Sequence, residues 1–186
     1  MKLPIPESYW VEPGRFLAGE YPGSYNIEVM RQRINAFLEA GIDTFIDLTQ
    51  PHELISYEPI LKEQAGIYKL DAIYHRIAIR DHHIPSPETM THLLNTIDEA
   101  LNTKRKVYVH CWGGIGRTGT AVACHLVRHG KTNEEALAQV DELFKTRPKN
   151  FYYPRSPETD EQIQFVREWR EIAITEHKSK QNFCEG

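Results

Sequence analysis

The sequence has few cysteines and no long apolar run, and each absence excludes a class of protein. Its three cysteines, in 186 residues, form no C-x-x-C pair. That argues against a disulfide framework and against a zinc site built from such pairs. No apolar segment approaches the roughly 20 residues that span a bilayer. The first ten residues, MKLPIPESYW, lack the apolar core of a signal peptide. We therefore expect a cytoplasmic protein without a membrane segment.

The chain also lacks a strong charge of either sign. A net charge of −4 gives no reason to expect nucleic acid or an anionic membrane as a partner. The length and a hydrophobic content of 40% suit one domain with a sizeable core. We expect a monomer with a single domain over residues 1–176, followed by a flexible tail over 177–186.

Apolar spacing and capping residues predict alternating strands and helices. Strands are predicted at 14–20, 44–49, 74–79 and 106–110, and helices at 26–40, 59–65, 87–102, 116–129, 133–146 and 158–174. Ser86 and Thr132 are predicted N-caps, and Ser156 with Pro157 is predicted to start the last helix. This alternation predicts an α/β fold with a central, mainly parallel sheet flanked by helices.

The stretch VHCWGGIGRTG, residues 109–119, joins a predicted strand to a predicted helix. Ligands of open α/β sheets bind at such carboxyl ends of strands. Gly113, Gly114 and Gly116 allow the backbone to curl with its N–H groups pointing inward. Together with the free N–H groups of the helix start, such a loop binds an oxyanion. We predict a phosphate-binding loop formed by Trp112, Gly113, Gly114, Ile115, Gly116 and Arg117.

Two side chains give this loop its predicted chemistry. The Arg117 guanidinium can hold two phosphate oxygens at once, and the same positive field favours the thiolate form of Cys111. Thr118 could donate a hydrogen bond to that thiolate. A thiolate inside a phosphate-binding loop is a nucleophile for phosphoryl transfer. A glycine-rich turn that only permits close packing is the structural alternative, but the joint spacing H-C-x-x-G-x-x-R-T-G is far more restrictive.

The segment HCWGGIGRTG resembles the active-site motif of cysteine-dependent protein tyrosine phosphatases, and in particular their dual-specificity-like branch. The resemblance covers roughly residues 10–170, although only the motif is highly specific. It implies a phosphatase-like fold, with Cys111 as the nucleophile and Arg117 as the phosphate clamp. It also implies that Thr118 assists the leaving thiolate and that His110 orders the loop.

The resemblance further implies a general acid on a loop before the cysteine. Asp81, in IRDHHIPSP, lies 30 residues before Cys111, after a predicted strand and before a predicted helix. Asp71 and Asp98 suit this role less well, because one precedes the strand and the other lies on a helix. The segment SPETDEQ resembles the family segment whose glutamine lies near the attacking water, which places Gln162 there. An exposed polar residue in a first helical turn is the alternative for Gln162.

Three further residues are candidates for the rim of the substrate pocket. Glu53 and Tyr57 lie in PHELISYEP, where the family places a substrate-recognition loop, and Tyr21 could flank a phenyl ring. An ordinary solvated loop is the alternative reading of PHELISYEP. Cys124 is expected to be a buried core residue without a redox role.

Two other functions are alternatives to a metal-independent phosphatase: a phosphate-binding module without activity and a metal-dependent phosphoesterase. A catalytically silent phosphate-binding module would be expected to lack the cysteine, the arginine or the acid. The triplet Asp81-His82-His83 resembles the signature of metal-dependent DHH phosphoesterases, but the sequence has no D-x-D pair to complete such a site. We expect no cofactor and no metal in the reaction.

The substrate is less constrained than the chemistry. None of the residues 112–116 is basic, which favours a phosphorylated protein, with phosphotyrosine or mixed phosphotyrosine and phosphoserine/threonine. An inositol phosphate, a phosphoinositide, a nucleotide and an RNA 5′-phosphate remain alternatives.

Overall fold

A computed structural model describes residues 2–171 of the chain as one α/β domain. Its strands are β1 Ser8–Glu12, β2 Phe16–Gly19, β3 Thr44–Asp47, β4 Ile73–Arg76 and β5 Val107–His110. Its α-helices are α1 Ile27–Glu39, α2 Glu58–Tyr68, α3 Pro87–Asn102, α4 Gly116–Arg128, α5 Asn133–Lys145 and α6 Asp160–Glu168, and a 3₁₀ helix covers Pro148–Phe151. Within this range no helix is long and apolar enough to cross a membrane.

The sheet has the order β1-β2-β5-β3-β4. Only β1 is antiparallel to its neighbour, and the other four strands are parallel. The prediction of a central, mainly parallel sheet is therefore confirmed. In the register of these strands, His110 at the end of β5 lies between Gly19 of β2 and Asp47 of β3. The carboxyl ends of the parallel strands thus meet at one edge, and the loop after β5 begins there.

Side-chain alternation along the central strands separates two cores. Val107 and Val109 of β5 point to the core formed with α3, α4, α5 and α6, whereas Tyr108 points to the core formed with α1 and α2. On β3 the neighbours Phe45 and Ile46 divide in the same way. A strand covered on both faces is apolar throughout, as in VYVH. The central strand is thereby fixed in position from both sides.

One observed strand was not predicted, and two predicted elements differ in extent from those observed. No strand was predicted at β1, although its Tyr9 and Val11 are buried and its residues favour strands. The helix predicted at 59–65 extends over Glu58–Tyr68. The strand predicted at 74–79 ends its ladder at Arg76. Beyond it, the N–H of Ile77 donates to the carbonyl of Asp47 at the end of β3, and that of Ile79 donates to Leu48.

The last helix begins and ends elsewhere than predicted. Thr159 is its N-cap, in place of the predicted start at Ser156 and Pro157, and the helix ends at Glu168 instead of 174. Thr159 was overlooked because Ser156-Pro157 resembles the true start Ser86-Pro87. The predicted domain boundary at 176 and the tail at 177–186 lie outside the described residues.

Candidate active site

The loop after β5 is shaped by backbone contacts that exclude side chains. Gly114 has a φ of +67°, and a Cβ there would lie 2.2 Å from the carbonyl carbon of Gly19. A Cβ at Gly116 would lie 2.8 Å from the side-chain oxygen of Gln162. Helix α4 begins at Gly116 with no side chain capping its amino terminus. The loop therefore presents a glycine backbone and an uncapped helix start, which is the arrangement that binds oxyanions.

A cavity of about 250 Å³ opens above this loop. Cys111 lies at its floor and is almost fully buried, whereas Trp112 at the rim is exposed. The lining residues are Asp81, His82, Cys111, Trp112, Gly113, Ile115, Gly116, Arg117, Lys149, Tyr153 and Glu158. The predicted nucleophile, the predicted clamp and the predicted acid therefore share one cavity with most of the predicted phosphate-binding loop.

Arg117 is 2% exposed, and its guanidinium contacts oxygen atoms of Glu53, Ile79 and Asp81. Nη1 donates to Glu53 Oε2 at 2.9 Å and to the carbonyl of Ile79 at 3.0 Å. Nη2 donates to Glu53 Oε1 at 2.7 Å, and it lies 2.8 Å from Oδ1 of Asp81. Nε has no partner within the described structure. Glu53 thus occupies the edge formed by Nη1 and Nη2, whereas the edge formed by Nε and Nη2 is contacted by Asp81 at Nη2 and has no partner at Nε within the described structure.

Glu53 binds Arg117 instead of lining the rim of the cavity. Its carboxylate binds Arg117 through both oxygens and does not line the cavity above Cys111. Burial alone would raise the pKa of Glu53, but the hydrogen bonds from Arg117 outweigh it and lower the pKa below its usual value. The carboxylate is ionised at neutral pH and fixes the orientation of the arginine. Sequence reasoning could not find this pair because the two residues are 64 positions apart.

Asp81 lies on the loop between β4 and α3, where the sequence placed it. Its side chain is 38% exposed, and its Oδ1 forms an ion pair with Arg117 Nη2 at 2.8 Å. His83 turns back through Nδ1 to the carbonyl of Asp81 at 2.7 Å, and His82 is an exposed side chain 3.6 Å from the Asp81 carboxylate. The triplet Asp81-His82-His83 does not gather three metal-ligand atoms within the described chain. It forms a loop that presents one carboxylate to the cavity.

His110 is fully buried beneath the loop and is held by a polar network. Its Nδ1 faces two acceptors, the carbonyl of Cys111 at 3.4 Å and Oδ1 of Asp47 at 4.0 Å, so we assign the ring proton to Nδ1. Nε2 then accepts from the Tyr57 hydroxyl at 2.7 Å. Burial lowers the pKa of His110 and raises that of Tyr57 well above 10, which keeps both groups neutral. The ring of His110 thus connects the hydroxyl of Tyr57 to the backbone carbonyl of Cys111.

Two predicted rim residues are buried instead. Tyr57 is 0% exposed because its hydroxyl is used by His110 and its ring packs in the core. Tyr21 is also buried, and its hydroxyl donates to the carbonyl of Ile55 at 2.8 Å. Tyr21 lines a second cavity next to the first, and Trp112 and Lys149 line both cavities. Aromatic residues in a loop-like segment are natural candidates for a rim, and only the tertiary packing shows that these two serve the core.

Gln162 is buried, in contrast to the exposed alternative. Its side-chain oxygen accepts from the backbone N–H groups of Glu158 and Thr159 at 3.2 and 3.1 Å, which completes a capping box on α6. The same amide lies against Gly116 and reaches the carbonyl of His83 at 3.4 Å. Gln162 therefore connects the amino terminus of α6 to both the phosphate-binding loop and the acid loop.

Thr118 and Cys124 follow on α4, and both are buried. The hydroxyl of Thr118 has no hydrogen-bond partner within the described structure. Cys124 lies in the core, where burial raises the pKa of its thiol. The expected core position of Cys124 is confirmed.

Sequence reasoning missed Arg147, which supports the loop from below. The side chain is buried, stacks over Phe144 at 4.6 Å and lies 3.4 Å from the carbonyls of Glu7 and Gly113. Its Nε and Nη2 have no partner within the described structure. Arg147 therefore adds a buried positive charge beside the loop. Nothing in TRPKN distinguishes this arginine from a solvated one, since its burial depends on β1 and α5.

Comparisons with known proteins agree on one family. The family model PTP-SAK, described as Swiss Army Knife protein, DSP-PTPase phosphatase domain, matches residues 6–183. Protein tyrosine phosphatase domain-containing protein 1 of Mus musculus is 31% identical over 89% of this chain and 22% of its own length. Dual specificity protein phosphatase CDC14A of Mus musculus is 29% identical over 70% of this chain and 21% of its own length. The chain thus spans about a fifth of these curated relatives.

Solved structures share the fold at low sequence identity. Tk-PTP in its active form has a TM-score of 0.66 at 23% identity, and the match covers 88% of this chain and 95% of that chain. PTPMT1 in complex with PI(5)P has a TM-score of 0.64 at 17% identity, over 87% of this chain and 93% of that chain. With a family model that matches most of its length and a cysteine–arginine loop at the head of α4, the chain belongs to the dual-specificity-like protein tyrosine phosphatases, a family of hydrolases.

Proposed function

We propose that this chain hydrolyses phosphomonoesters through a cysteinyl-phosphate intermediate, and that its substrates are phosphoproteins, phosphotyrosine above all. The observation that carries the proposal is the single cavity shared by Cys111, Arg117 and Asp81. A nucleophile, an anion clamp and an acid are the groups that this reaction requires. A silent binding module would have no use for all three.

The edge of Arg117 formed by Nε and Nη2 supports a specific pose for the phosphoryl group. Glu53 already holds the Nη1 side, so two phosphoryl oxygens can pair with Nε and Nη2. The Nη2 contact to Asp81 would then be given up to the substrate, which frees that carboxyl group to face the leaving oxygen. The remaining oxygen would accept from loop N–H groups.

The reaction follows in two balanced steps. The Cys111 thiolate attacks phosphorus, the bond from phosphorus to the ester oxygen breaks, and protonated Asp81 gives its proton to that oxygen. In the second step ionised Asp81 takes a proton from water, the water oxygen attacks phosphorus, and the sulfur–phosphorus bond breaks to regenerate the thiolate. Thr118 would donate to the departing thiolate, and Gln162, beside Gly116, would lie next to the water.

The lining of the cavity supports an aromatic phosphoester. Trp112 and Tyr153 are exposed at the rim, 58% and 40%, and could flank a phenyl ring. The loop itself offers no lysine between Trp112 and Gly116 for additional phosphate groups. Lys149 does line the cavity, but its ammonium group is paired with Glu20 at 2.6 Å. The reducing conditions that a catalytic thiol needs support a cytoplasmic location, and a site complete within one chain supports a monomer.

A substrate panel and a trapping experiment test the proposal. Initial rates are compared for phosphotyrosine, phosphoserine and phosphothreonine peptides, phosphoinositides, inositol phosphates, nucleotides and a 5′-phosphorylated RNA. We expect the highest kcat/KM for phosphotyrosine peptides, and a dominant rate for any non-protein substrate would overturn that preference. Rapid acid quenching with a ³²P-labelled substrate should show label on Cys111.

Cys111→Ser should abolish turnover and labelling while binding of vanadate-like phosphate mimics survives. The matched control is Cys124→Ala, which removes the other described cysteine, in the core, and should retain both. Turnover by Cys111→Ser within about tenfold of the wild-type rate would contradict a nucleophilic role for this residue.

A further inference from the structure

A second cluster of reactive side chains lies at the opposite end of α4 from Arg117. Asp98 of α3 meets His125 of α4 and the C-cap residue His129, and one ligand atom from each residue lies within 4.8 Å of the others. Oδ1 of Asp98 is 3.0 Å from Nε2 of His129 and 3.6 Å from Nδ1 of His125. Around a tetrahedral zinc ion with bonds of about 2.0–2.1 Å, neighbouring ligand atoms lie about 3.3 Å apart. The two measured separations fall on either side of that value.

One of these nitrogen atoms is buried without a partner. His125 is 1% exposed, and its Nδ1 forms no hydrogen bond within the described structure. Its other nitrogen, Nε2, lies 3.3 Å from Oε1 of Glu12, and a carboxylate oxygen only accepts, so Nε2 carries a proton. The Nδ1 lone pair of the neutral ring then faces Asp98 Oδ1, which is also an acceptor. Asp98 Oδ1 has a donor in His129 Nε2 at 3.0 Å, but no donor reaches His125 Nδ1 within the described structure, and a cation bound among the three atoms would give this nitrogen a partner.

The surroundings of His125 match those of metal-bound histidines. A histidine that binds a metal through one nitrogen usually donates its other N–H to a carboxylate, as His125 does to Glu12. His125 and His129 are four residues apart, so both rings lie on one face of α4 and its C-cap, a spacing used by helical zinc sites. This end of α4 also carries the negative pole of the helix dipole.

Neighbouring charges favour a cation at the same point. Asp98 uses its second oxygen, Oδ2, to accept from Arg128 at 2.8 Å, which fixes the carboxylate with Oδ1 turned towards the two histidines, where it pairs with His129 Nε2. Arg128 is itself paired with Glu171, and Arg15 pairs with the outer side of Glu12. Three carboxylates therefore face two arginines around the two histidine rings, which leaves an excess of negative charge.

We propose that Asp98, His125 and His129 form a structural binding site for a divalent transition metal, zinc in particular, with water as the fourth ligand. Two imidazoles and one carboxylate are a ligand set that zinc accepts. The ion would connect α3, which follows the acid loop, to the carboxyl end of α4, whose amino end forms the phosphate-binding loop. It takes no part in the phosphatase reaction, because the cluster lies at the far end of α4 from Cys111.

Metal titration of the intact chain tests the site. All proteins carry Cys111→Ser, so that the active-site thiolate cannot compete for the metal. Cobalt(II) is added to the chelator-treated protein and followed by visible absorption, and zinc affinity is measured by competition with a chromophoric chelator. We expect one equivalent of tetrahedral cobalt without a thiolate charge-transfer band, and a rise in Tm when zinc is added. A thiolate band, or no binding at micromolar metal, would overturn the proposal.

Variants locate the ion. His129→Ala removes a ligand whose side chain is 51% exposed, and it should weaken zinc binding by more than about 100-fold. Glu12→Gln keeps the ligands but loses the outer carboxylate, and should weaken binding by about 10–100-fold. His92→Ala, an exposed histidine on α3, is the matched control and should leave affinity unchanged. Equal affinities in His129→Ala and His92→Ala would show that the ion binds elsewhere and would overturn the proposal.

Discussion

The phosphate-binding loop and the acid loop face each other across one cavity, but they are built in opposite ways. Cys111 and Arg117 are 3% and 2% exposed, whereas the side chain of Asp81 is 38% exposed. The phosphate-binding loop is fixed by close backbone contacts, such as that of Gly114 with Gly19. The acid loop is held mainly by side-chain contacts, including the pair between Asp81 and Arg117.

This difference follows from what each loop must do. The phosphoryl group is the same in every substrate, so its binding groups gain from being fixed before the substrate arrives. The acid must reach a leaving oxygen whose surroundings differ between substrates, and an exposed loop can adjust. A substitution in the phosphate-binding loop should therefore affect all substrates alike. A substitution in the acid loop should affect them according to the leaving group.

After Cys111→Ser, which should abolish turnover, the largest effect is expected for Asp81→Asn, which removes the acid. Hydrolysis of phosphotyrosine peptides should slow by about 10²–10⁴-fold. Esters with very acidic phenols should be affected much less, because those leaving groups depart without a proton. Steady-state rates over a series of aryl phosphates measure the dependence on leaving-group pKa, which should be steeper in the variant.

The same experiment separates the acid role of Asp81 from the metal reading of Asp81-His82-His83. His82→Ala and His83→Ala should have modest effects, and the wild-type rate should persist in excess EDTA. A loss of activity in EDTA that manganese or magnesium restores would contradict the cysteine mechanism.

Arg117→Lys should come next, with kcat/KM lower by about 10²–10³-fold. Lysine keeps the charge but offers no planar edge to two phosphoryl oxygens, and it cannot pair with both oxygens of Glu53. In contrast to Asp81→Asn, the loss should be the same for acidic and basic leaving groups. Steady-state kinetics on the same series of aryl phosphates measure the dependence on the leaving group, and vanadate affinity measures the loss of phosphate binding. Near-normal values would show that charge alone suffices.

Glu53→Gln tests whether the fixed orientation of Arg117 depends on this carboxylate. Removing the charge from the pair should lower the free energy of unfolding by about 1.5–3 kcal/mol at pH 7. Because the pKa of Glu53 is lowered in the folded protein, its contribution is present above pH 4.5 and is lost as the pH falls through the folded value. The difference between wild type and Glu53→Gln should therefore shrink as the pH falls below 4.5 and vanish once the pH lies below the folded pKa.

Urea unfolding over a pH series measures this difference. The control is Glu134→Gln, which breaks an exposed pair with Arg167 and should change the free energy little at any pH. A difference at pH 7 that persists unchanged at pH 3 would mean that the Glu53 charge is not its source.

The smallest effect is expected for Tyr57→Phe. It removes the hydroxyl that donates to His110 and should lower the free energy of unfolding by about 1 kcal/mol, with a small fall in kcat for all substrates. Tyr68→Phe removes an exposed hydroxyl that bonds to Glu39 and serves as the control, with no measurable change. Chemical unfolding and steady-state kinetics check both. Equal stability of the two variants would mean that the contact with His110 contributes nothing.

The sequence predicted most of the fold because its local signals are strong. VYVH is apolar on both faces, Ser86 with Pro87 starts α3, and Thr132 with Glu135 caps α5 as a capping box. The last helix was misplaced because Ser156-Pro157 gives the same local signal as Ser86-Pro87, whereas the observed cap is Thr159. The edge strand β1 escaped detection because its five residues follow a proline-rich stretch.

What the sequence by itself determined is the chemistry that short spacing encodes. Cys111 and Arg117 are six residues apart, with the glycines between them, so a strand, a tight loop and a helix start must bring them together. Tertiary structure alone decided the partners that lie far along the chain. Glu53 reaches Arg117, Tyr57 reaches His110, and Arg147, which follows the end of α5, reaches the carbonyl of Gly113 in the loop. A polar or aromatic residue in a loop has the same local signal whether it faces solvent or a buried charge, and only packing distinguishes the two.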